Sequence, residues 1–528
     1  MFSFGLSYDN IIRLFKVFPH RNTLSSVRID RHLIMETDNR SYIVLSVMVM
    51  TALTCLFSIG ISGNDFWWHV KAGEWMVTNF SLPSVDVFSW YAKENQIEWL
   101  SHEWLSQVIF YLIHHTTGEI GIYLFSLTSA CLMAFLIIRR NKKFLGLSIL
   151  LPAAFFLPMS VLFKLMFYGR PHLFSYFLIY ATLACLYHYR SNESSKAIYL
   201  IPLIAFFWAN LHGGSSTMSY ILCFAFFVTS SFEFSIGKLH FDKLPRNRSF
   251  AFLIAGLASI LALIINPYSI EMLVYPYSNM GDSFMQKMIS EWSSPDAKEY
   301  WQVFILFFPL SFVSLGFMIT EKKIKAVDLL IFLFFSYMFF RSVRFGVVFY
   351  IASTFFVFEY FPVPIFAPAK KHANTLFYVV LAGLLILNIM GISNTIKTTR
   401  ENRLISTVLE SRFIELVKKE SPKRLYNDYD FGVSLIYNNI ETFVDARADL
   451  FSPHNLRDAF NLANLTNKNS SIKNEQFTPE ILINKYRFDA FLTRSGNSLA
   501  AYLRERKDKY EILLEDSDTV YFKRIFHP

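Results

Sequence analysis

The sequence predicts an α-helical polytopic membrane protein of about eleven transmembrane helices, followed by an extracytoplasmic C-terminal α/β domain. Three observations lead there. Of the 528 residues, 53% are hydrophobic and 17% charged, with 57 Phe and a mean hydropathy of +0.33, a balance outside that of ordinary soluble domains. Many runs approach the ~20 apolar residues a spanning helix needs. Finally, residues 395–528 change character, with 21 Lys/Arg against 19 Asp/Glu and only short apolar runs.

Taken in order, residues 1–41 are polar and mixed in charge, without the pattern of a cleavable signal, so the first apolar run is expected to stay as an anchor. Spans are predicted near 42–61, 118–138, 144–163, 172–189, 197–209, 217–236, 250–266, 302–320, 326–340, 345–361 and 375–394. With the N-terminus in the cytoplasm, the inner segments carry 21 Lys/Arg and the outer loops 8. That asymmetry is what the positive-inside rule asks of an odd number of spans, and it puts 395–528 outside. The net charge of +9 is thus a topology signal, and no nucleic-acid partner is indicated. The domain division is 1–41 cytoplasmic, 42–394 transmembrane with large outer loops 62–117 and 267–301, and 395–528 soluble. Cys55, Cys131, Cys185 and Cys223 all fall in predicted spans and read as packing residues rather than a disulfide or zinc framework.

In the C-terminal part, strands are expected at 424–427, 442–444, 490–493, 510–514 and 519–524, alternating with helices at 404–419 and 499–506. The outer loop 62–117 contains "NQIEWLSHEWLSQVIFYLIHH", where Trp99, Leu100, Trp104, Val108 and Leu112 would form the apolar face of an interfacial helix opposite Glu98, His102 and Ser106. The loop 267–301 mixes aromatics, Pro and carboxylates and is expected to act as a lid.

Candidate chemistry lies on the outer side. Lys164 and Arg170 in "LFKLMFYGRPHLF", and Arg341 and Arg344 in "FFRSVRFG", sit in tight turns between apolar runs. They either snorkel to lipid phosphates or hold a lipid-linked phosphate, for which the planar guanidinium fork is suited. Asp65 follows the first span closely and is placed to act as a base. Asp65 with His69, and Glu98 with His102, are spaced i,i+4; with Glu103 they form a candidate site for a hard divalent cation such as Mg or Mn, or ordinary surface pairs. Trp67, Trp68 and Trp75 read as an interfacial aromatic belt or a sugar-stacking platform. Asn210, His212, Asn266 and Tyr268, at the exits of two spans, are expected to face the same outer vestibule, and His172 opens the span after Arg170. No Walker loop, nucleophile elbow, HExxH or EF-hand is present, and nucleotides are absent outside the membrane, so a transferase there needs a lipid-activated donor.

The order of these parts resembles the GT-C superfamily of integral-membrane glycosyltransferases. The runs "DFWWHVKAGEW", "WLSHEWLSQ", "GRPHLFSY", "WANLHGG", "INPYS", "SEWSSPD", "YNDYDFGVSLIYNN" and "FVDARADLF" are similar to those of a widespread bacterial group of multi-spanning proteins, over nearly the whole chain. The resemblance implies a bacterial cytoplasmic (inner) membrane protein that uses a polyprenyl-phosphate sugar donor and an envelope glycan, lipid or protein acceptor. It implies a single inverting displacement with Asp65 as base. Arg170, Arg341 or Arg344 would take the departing phosphate, His69, Glu98 and His102 would support the base, and Glu291 would reach in from the lid. Where related enzymes often carry two adjacent acids, this chain has Asn64 before Asp65. Asp428, Asp430, Asp445, Arg447 and Asp449 would either help choose the acceptor or act structurally. The alternatives are a transporter or flippase of lipid-linked saccharides, a polysaccharide polymerase or ligase, and an envelope-assembly scaffold. A carrier would favour internal repeats and midplane charges; none is evident in the sequence.

Overall fold

The computed structural model describes residues 31–58, 65–144, 150–279, 284, 289–296, 298–299, 302–361, 373–401, 409–466 and 478–525. The predicted segment 1–30, the glycines before Asp65, the Lys370–Lys371 pair and part of the lid loop lie outside those residues. Among the described residues, five helices are long and apolar enough to cross a membrane: Asn39–Phe57, Trp104–Arg140, Ala197–Ser215, Arg246–Leu263 and Phe377–Lys397. Shorter apolar helices occupy 152–166, 218–231, 308–319 and 343–353. The helices His172–Ser191 and Ala326–Arg341 stand at two further predicted spans. A helix thus occupies each predicted position, while five rather than eleven meet the length and apolarity of a full crossing.

Three local departures have physical causes. The run 104–140 contains a break at Gly118 (φ 65°, ψ −158°), a conformation that a side chain resists, so the predicted span starts at a true kink. The interfacial helix expected through 95–115 begins only at Trp104. Before it the backbone pairs sideways instead: Asp86 N–H donates to Ile97 O (3.1 Å) and Trp99 N–H to Ser84 O (2.9 Å). Glu98, expected on a helix with His102, therefore sits exposed in an isolated bridge to Val85. Third, the span expected to end at 236 stops at Ser231, and the chain turns into strand β1 (Phe234–Ile236), paired antiparallel with β2 (Leu239–Phe241). β2 in turn pairs in parallel with β3 (Ile324–Lys325), joining two of the lysine-bearing segments.

Within a bilayer, lipid tails are as apolar as the side chains, so shape and ring packing hold helices together rather than escape from water. Here that role falls to Phe. Phe155 contacts Phe156, Phe312, Tyr350 and Phe358 at centroid distances of 5.1 to 5.8 Å. Trp67 and Trp68 belong to such packing as well: they are 1% and 7% exposed, which removes them from any membrane-surface belt.

The C-terminal part forms a four-stranded sheet of order β4-β5-β7-β6, from β4 (Leu425–Asn427), β5 (Ala490–Arg494), β6 (Tyr510–Glu515) and β7 (Thr519–Arg524). The parallel β4–β5 pair requires a crossover, supplied by the helices Gly432–Tyr437, Ala448–Phe451, Leu456–Asn464 and Pro479–Tyr486. Four of the five expected strands are present. The fifth, at 442–444, is recruited by the segment before Trp104 instead: Thr442 bridges Ser89, exchanging backbone bonds of 3.1 Å with Phe88 and Trp90. The Trp90 indole N–H donates to Leu425 O (3.0 Å), and Arg447 is buried between Asp86 of that loop and Asp445. The C-terminal sheet region is therefore fastened to the segment that follows the helix Arg31–Phe57.

Candidate active site

A cavity of about 700 Å³ opens where residues 65–107, residues 275–292, the ends of the helices and the C-terminal part meet. Asp65, His69, His102, Glu103, Arg170, His172, His212, Glu291, Arg341 and Arg344 all line it. Of the sequence candidates, Glu98 and Lys164 do not. Lys164 instead sits on the helix Leu150–Met166 with its ammonium 5.3 Å from the Phe57 ring centre.

One wall is built around Arg170. Its guanidinium donates from Nη1 to both carboxylate oxygens of Glu291 (2.8 and 2.6 Å) and pairs through Nη2 with Asp65. The local sequence explains the placement. Gly169 lets Phe66 pass, since a Cβ there would lie 2.6 Å from its ring. Glu291 is held by its backbone: its carbonyl accepts from the Ser342 hydroxyl (2.7 Å), and Val343 N–H donates to Ser293 O (3.1 Å). Burial alone would raise the Glu291 pKa, but Arg170 holds it down at about 2. Arg344 stands on the same side with its guanidinium 4.8 Å above the Trp292 ring, and it makes no ion pair among the described residues.

The facing wall is built around Glu103. Its carboxylate lies 3.3 Å from His212 Nε2, 3.5 Å from His102 Nε2 and 3.8 Å from His69 Nδ1. Burial costs a carboxylate, yet the surrounding imidazoles, His102 first, lower its pKa. The histidines differ among themselves. Burial pushes His69 down to about 4, so it is neutral at pH 7. Burial would also lower His102, but the carboxylates of Glu103 and then Asp449 raise it above the usual range. His212 Nδ1 is 2.6 Å from Ser175 Oγ and 2.8 Å from Ser215 Oγ. With Nε2–H directed at Glu103, Nδ1 accepts from a serine hydroxyl. Gly213 caps the helix Ile201–His212 and also sits in close approach, since a Cβ there would meet Met272 Sδ at 2.0 Å.

The expected Asp65–His69 cation pair is not assembled. Asp65 precedes the helix Phe66–Asn79, and its backbone carbonyl accepts from His69 N–H (3.4 Å), while the two side chains turn to different partners, Arg170 and the Glu103 wall. Among the described residues no group of three His, Cys, Asp or Glu is arranged to hold a metal ion. Asn210, Asn266 and Tyr268 were expected in the vestibule and are absent from the lining. Asn210 accepts from Trp104 Nε1 (3.1 Å) and donates to Ile265 O (3.1 Å), and Asn266 closes its own turn by accepting from Tyr268 N–H (2.7 Å).

The C-terminal domain supplies Tyr429, Asp430, Arg447 and Asp449 to the lining. Asp428 and Asp445 are structural. Asp428 accepts from Arg494 N–H (2.7 Å), the Thr493 hydroxyl (2.9 Å) and Tyr426 OH (3.2 Å), while Asp445 holds Arg447. Sequence reasoning missed Tyr275, whose hydroxyl donates to Asp449 (2.7 Å) and whose ring stacks on His102 at 4.2 Å. It also missed Asp86. The one available signal was weak: an Asp two residues before Phe88, whose N–H its carboxylate accepts (3.2 Å), as in an Asx turn.

No family model and no curated protein matches the sequence. Among solved structures, the chain is similar to the oligosaccharyltransferase of Archaeoglobus fulgidus in the apo form, with TM-score 0.46 and 10% identity over 86% of this chain and 69% of that one. It is likewise similar to the archaeal oligosaccharyltransferase AglB of the same organism in complex with an inhibitory peptide and a dolichol-phosphate, with TM-score 0.47 and 11% identity over 85% and 69%. At that similarity no residue's role passes from those structures to this chain.

Proposed function

We propose that the chain is a membrane glycosyltransferase of GT-C type that moves a sugar from a polyprenyl-phosphate donor to an envelope glycan, lipid or protein at the outer face of a bacterial cytoplasmic membrane. One observation carries the reading: a single cavity gathers Asp65, Glu103 and Glu291 opposite and beside Arg170, Arg341 and Arg344, with Met166, Ile179, Met338, Phe345 and Val348 forming an apolar flank. Arginines beside an apolar flank suit a phosphate on a lipid tail, and carboxylates suit hydroxyl groups.

In this reading the acceptor oxygen attacks the anomeric carbon as the carbon–oxygen bond to phosphate breaks. The bonding pair leaves on the phosphate oxygen, and the acceptor proton passes to Asp65. A carboxylate paired with Arg170 is a weak base, which suffices because the hydroxyl becomes acidic only once its oxygen is bonding to carbon. Arg344, with no ion pair among the described residues, receives the leaving phosphate, and Arg341 stands beside it. Glu103, held ionised by its imidazoles, orients sugar or acceptor hydroxyls. Asp65 and His69 do not fit a Mg or Mn site, and no step is drawn through a metal.

The test is mass spectrometry of envelope lipids and glycans from cells carrying the wild type, a deletion, Asp65→Asn or Arg344→Gln at matched expression. Loss of one sugar in the deletion and in both variants is expected. A deletion that loses a sugar while Asp65→Asn keeps it removes the base assignment. A deletion that changes no glycan while export or assembly fails removes the enzyme reading.

A further inference from the structure

The β1–β2 hairpin is unrelated to the cavity, yet it leaves a row of large apolar side chains uncovered. Phe232, Phe234 and Ile236 are 62%, 54% and 62% exposed. Phe234 and Ile236 share one face of β1 while Ser235 takes the other, and Phe232 precedes them in extended backbone (φ −124°, ψ 151°), so the i, i+2, i+4 spacing puts all three on one side. β1 is also the outer strand of its small sheet, with one edge unpaired. A bare apolar edge is an aggregation hazard unless something covers it.

The geometry of the neighbouring helix says what does. Met218–Ser231 has 14 residues, or about 21 Å at 1.5 Å per residue, against a hydrocarbon thickness of about 30 Å. The chain leaving its end at Ser231 is therefore still close to lipid when it becomes β1. Large apolar side chains are exposed on neighbouring elements as well: Val228 on that helix, Ile254 and Leu257 on Arg246–Leu263, and Met318 on Phe308–Ile319 are 48%, 62%, 50% and 75% exposed. The unpaired edge keeps the strand out of the hydrocarbon centre, where each lone N–H or C=O would be costly. Beside the hairpin are cations. Lys238 in its turn donates to Thr320 O (2.6 Å), and among the described residues Lys243 and Arg246 are in no ion pair.

We infer that the β1–β2 hairpin is an interfacial anchor that lays Phe232, Phe234 and Ile236 into the headgroup–acyl boundary of an anionic leaflet, with Lys243 and Arg246 against the lipid phosphates. Basic residues near such a surface are drawn to its negative potential, so the docking depends on anionic lipid. The hairpin also fixes β3 and with it the start of the helix Ala326–Arg341, whose far end leads to Arg344.

The test uses the full-length protein, its four cysteines replaced and its unfolding midpoint checked, in nanodiscs of neutral or 30% anionic lipid. Nitroxides at residues 232 to 236, one per variant, are read for collision with oxygen and with a water-soluble nickel chelate. Expected is an alternation: oxygen favoured at 232, 234 and 236, the chelate at 233 and 235. The Lys243→Gln/Arg246→Gln pair should move residue 234 towards the chelate in anionic discs and leave it unchanged in neutral ones. Preference for the chelate at all five positions overturns the proposal. So does shielding of 234 from both agents with cross-links between copies, which would make the edge a protein-binding strand.

Discussion

Replacing Arg447 by methionine removes the positive centre between two carboxylates that are wholly buried: the side chains of Arg447, Asp86 and Asp445 are 1%, 0% and 0% exposed. Burial alone would favour a neutral guanidine, but Asp445 and Asp86 hold it charged. Methionine preserves most of the contact with Trp99, Phe88 and Phe451, whose ring centres lie 4.8, 5.3 and 5.5 Å from the guanidinium carbon. What is lost is charge balance. Breaking a buried pair by removing one partner costs about 3–5 kcal/mol, a large part of the 5–15 kcal/mol that typically holds a domain together. The assay is limited proteolysis with thermal unfolding in detergent, reading protection of residues 409–466. Arg447→Met should expose that segment at neutral pH. Adding Asp86→Asn and Asp445→Asn should restore most of the stability at pH 7. If Arg447→Met stays within about 1 kcal/mol of wild type, or the two added Asn substitutions restore nothing, the claim that this triad fastens the domain to the loop is wrong.

Asp428 offers a second pH test. Burial raises it to about 6, above its unfolded value of about 3.9, so the folded state binds more protons between those limits, and stability falls as pH rises through them by up to about 3 kcal/mol; Asp428→Asn should flatten that slope in pH-dependent unfolding of the full chain. Gly73→Ala would bring a Cβ to 2.1 Å from Gln107 O, and overpacking of this kind costs about 1–3 kcal/mol, which a lowered unfolding midpoint would register. Tyr275→Phe keeps the stack on His102 but loses the 2.7 Å bond to Asp449; about 1–2 kcal/mol of stability should go, and the proposed sugar transfer should weaken in the same mass-spectrometric comparison.

Much of the architecture was legible because periodicity and composition are local. Apolar runs marked where helices would stand, and the strands at 424–427, 490–493, 510–514 and 519–524 showed themselves by β-rich runs between turns. Errors came where distant chain competed for the backbone. Residues 95–103 have a helical pattern, yet their backbone groups bond to residues 84 and 86. Thr442 has strand character, yet its ladder partner is Ser89. The end of the span at 236 was misjudged because Phe and Ile read alike in a buried helix and in an exposed apolar strand.

Composition and periodicity alone show that the chain is built for a membrane, that its chemistry-bearing motifs lie between apolar runs, and that a mixed α/β part follows. Those properties are sums over neighbouring residues. The packing of distant segments is what makes Asp65 and Glu291 share Arg170, rings Glu103 with His69, His102 and His212, and leaves Glu98 and Lys164 apart from them. A charge's partner depends on which distant segments pack together, and no spacing along the chain encodes that choice.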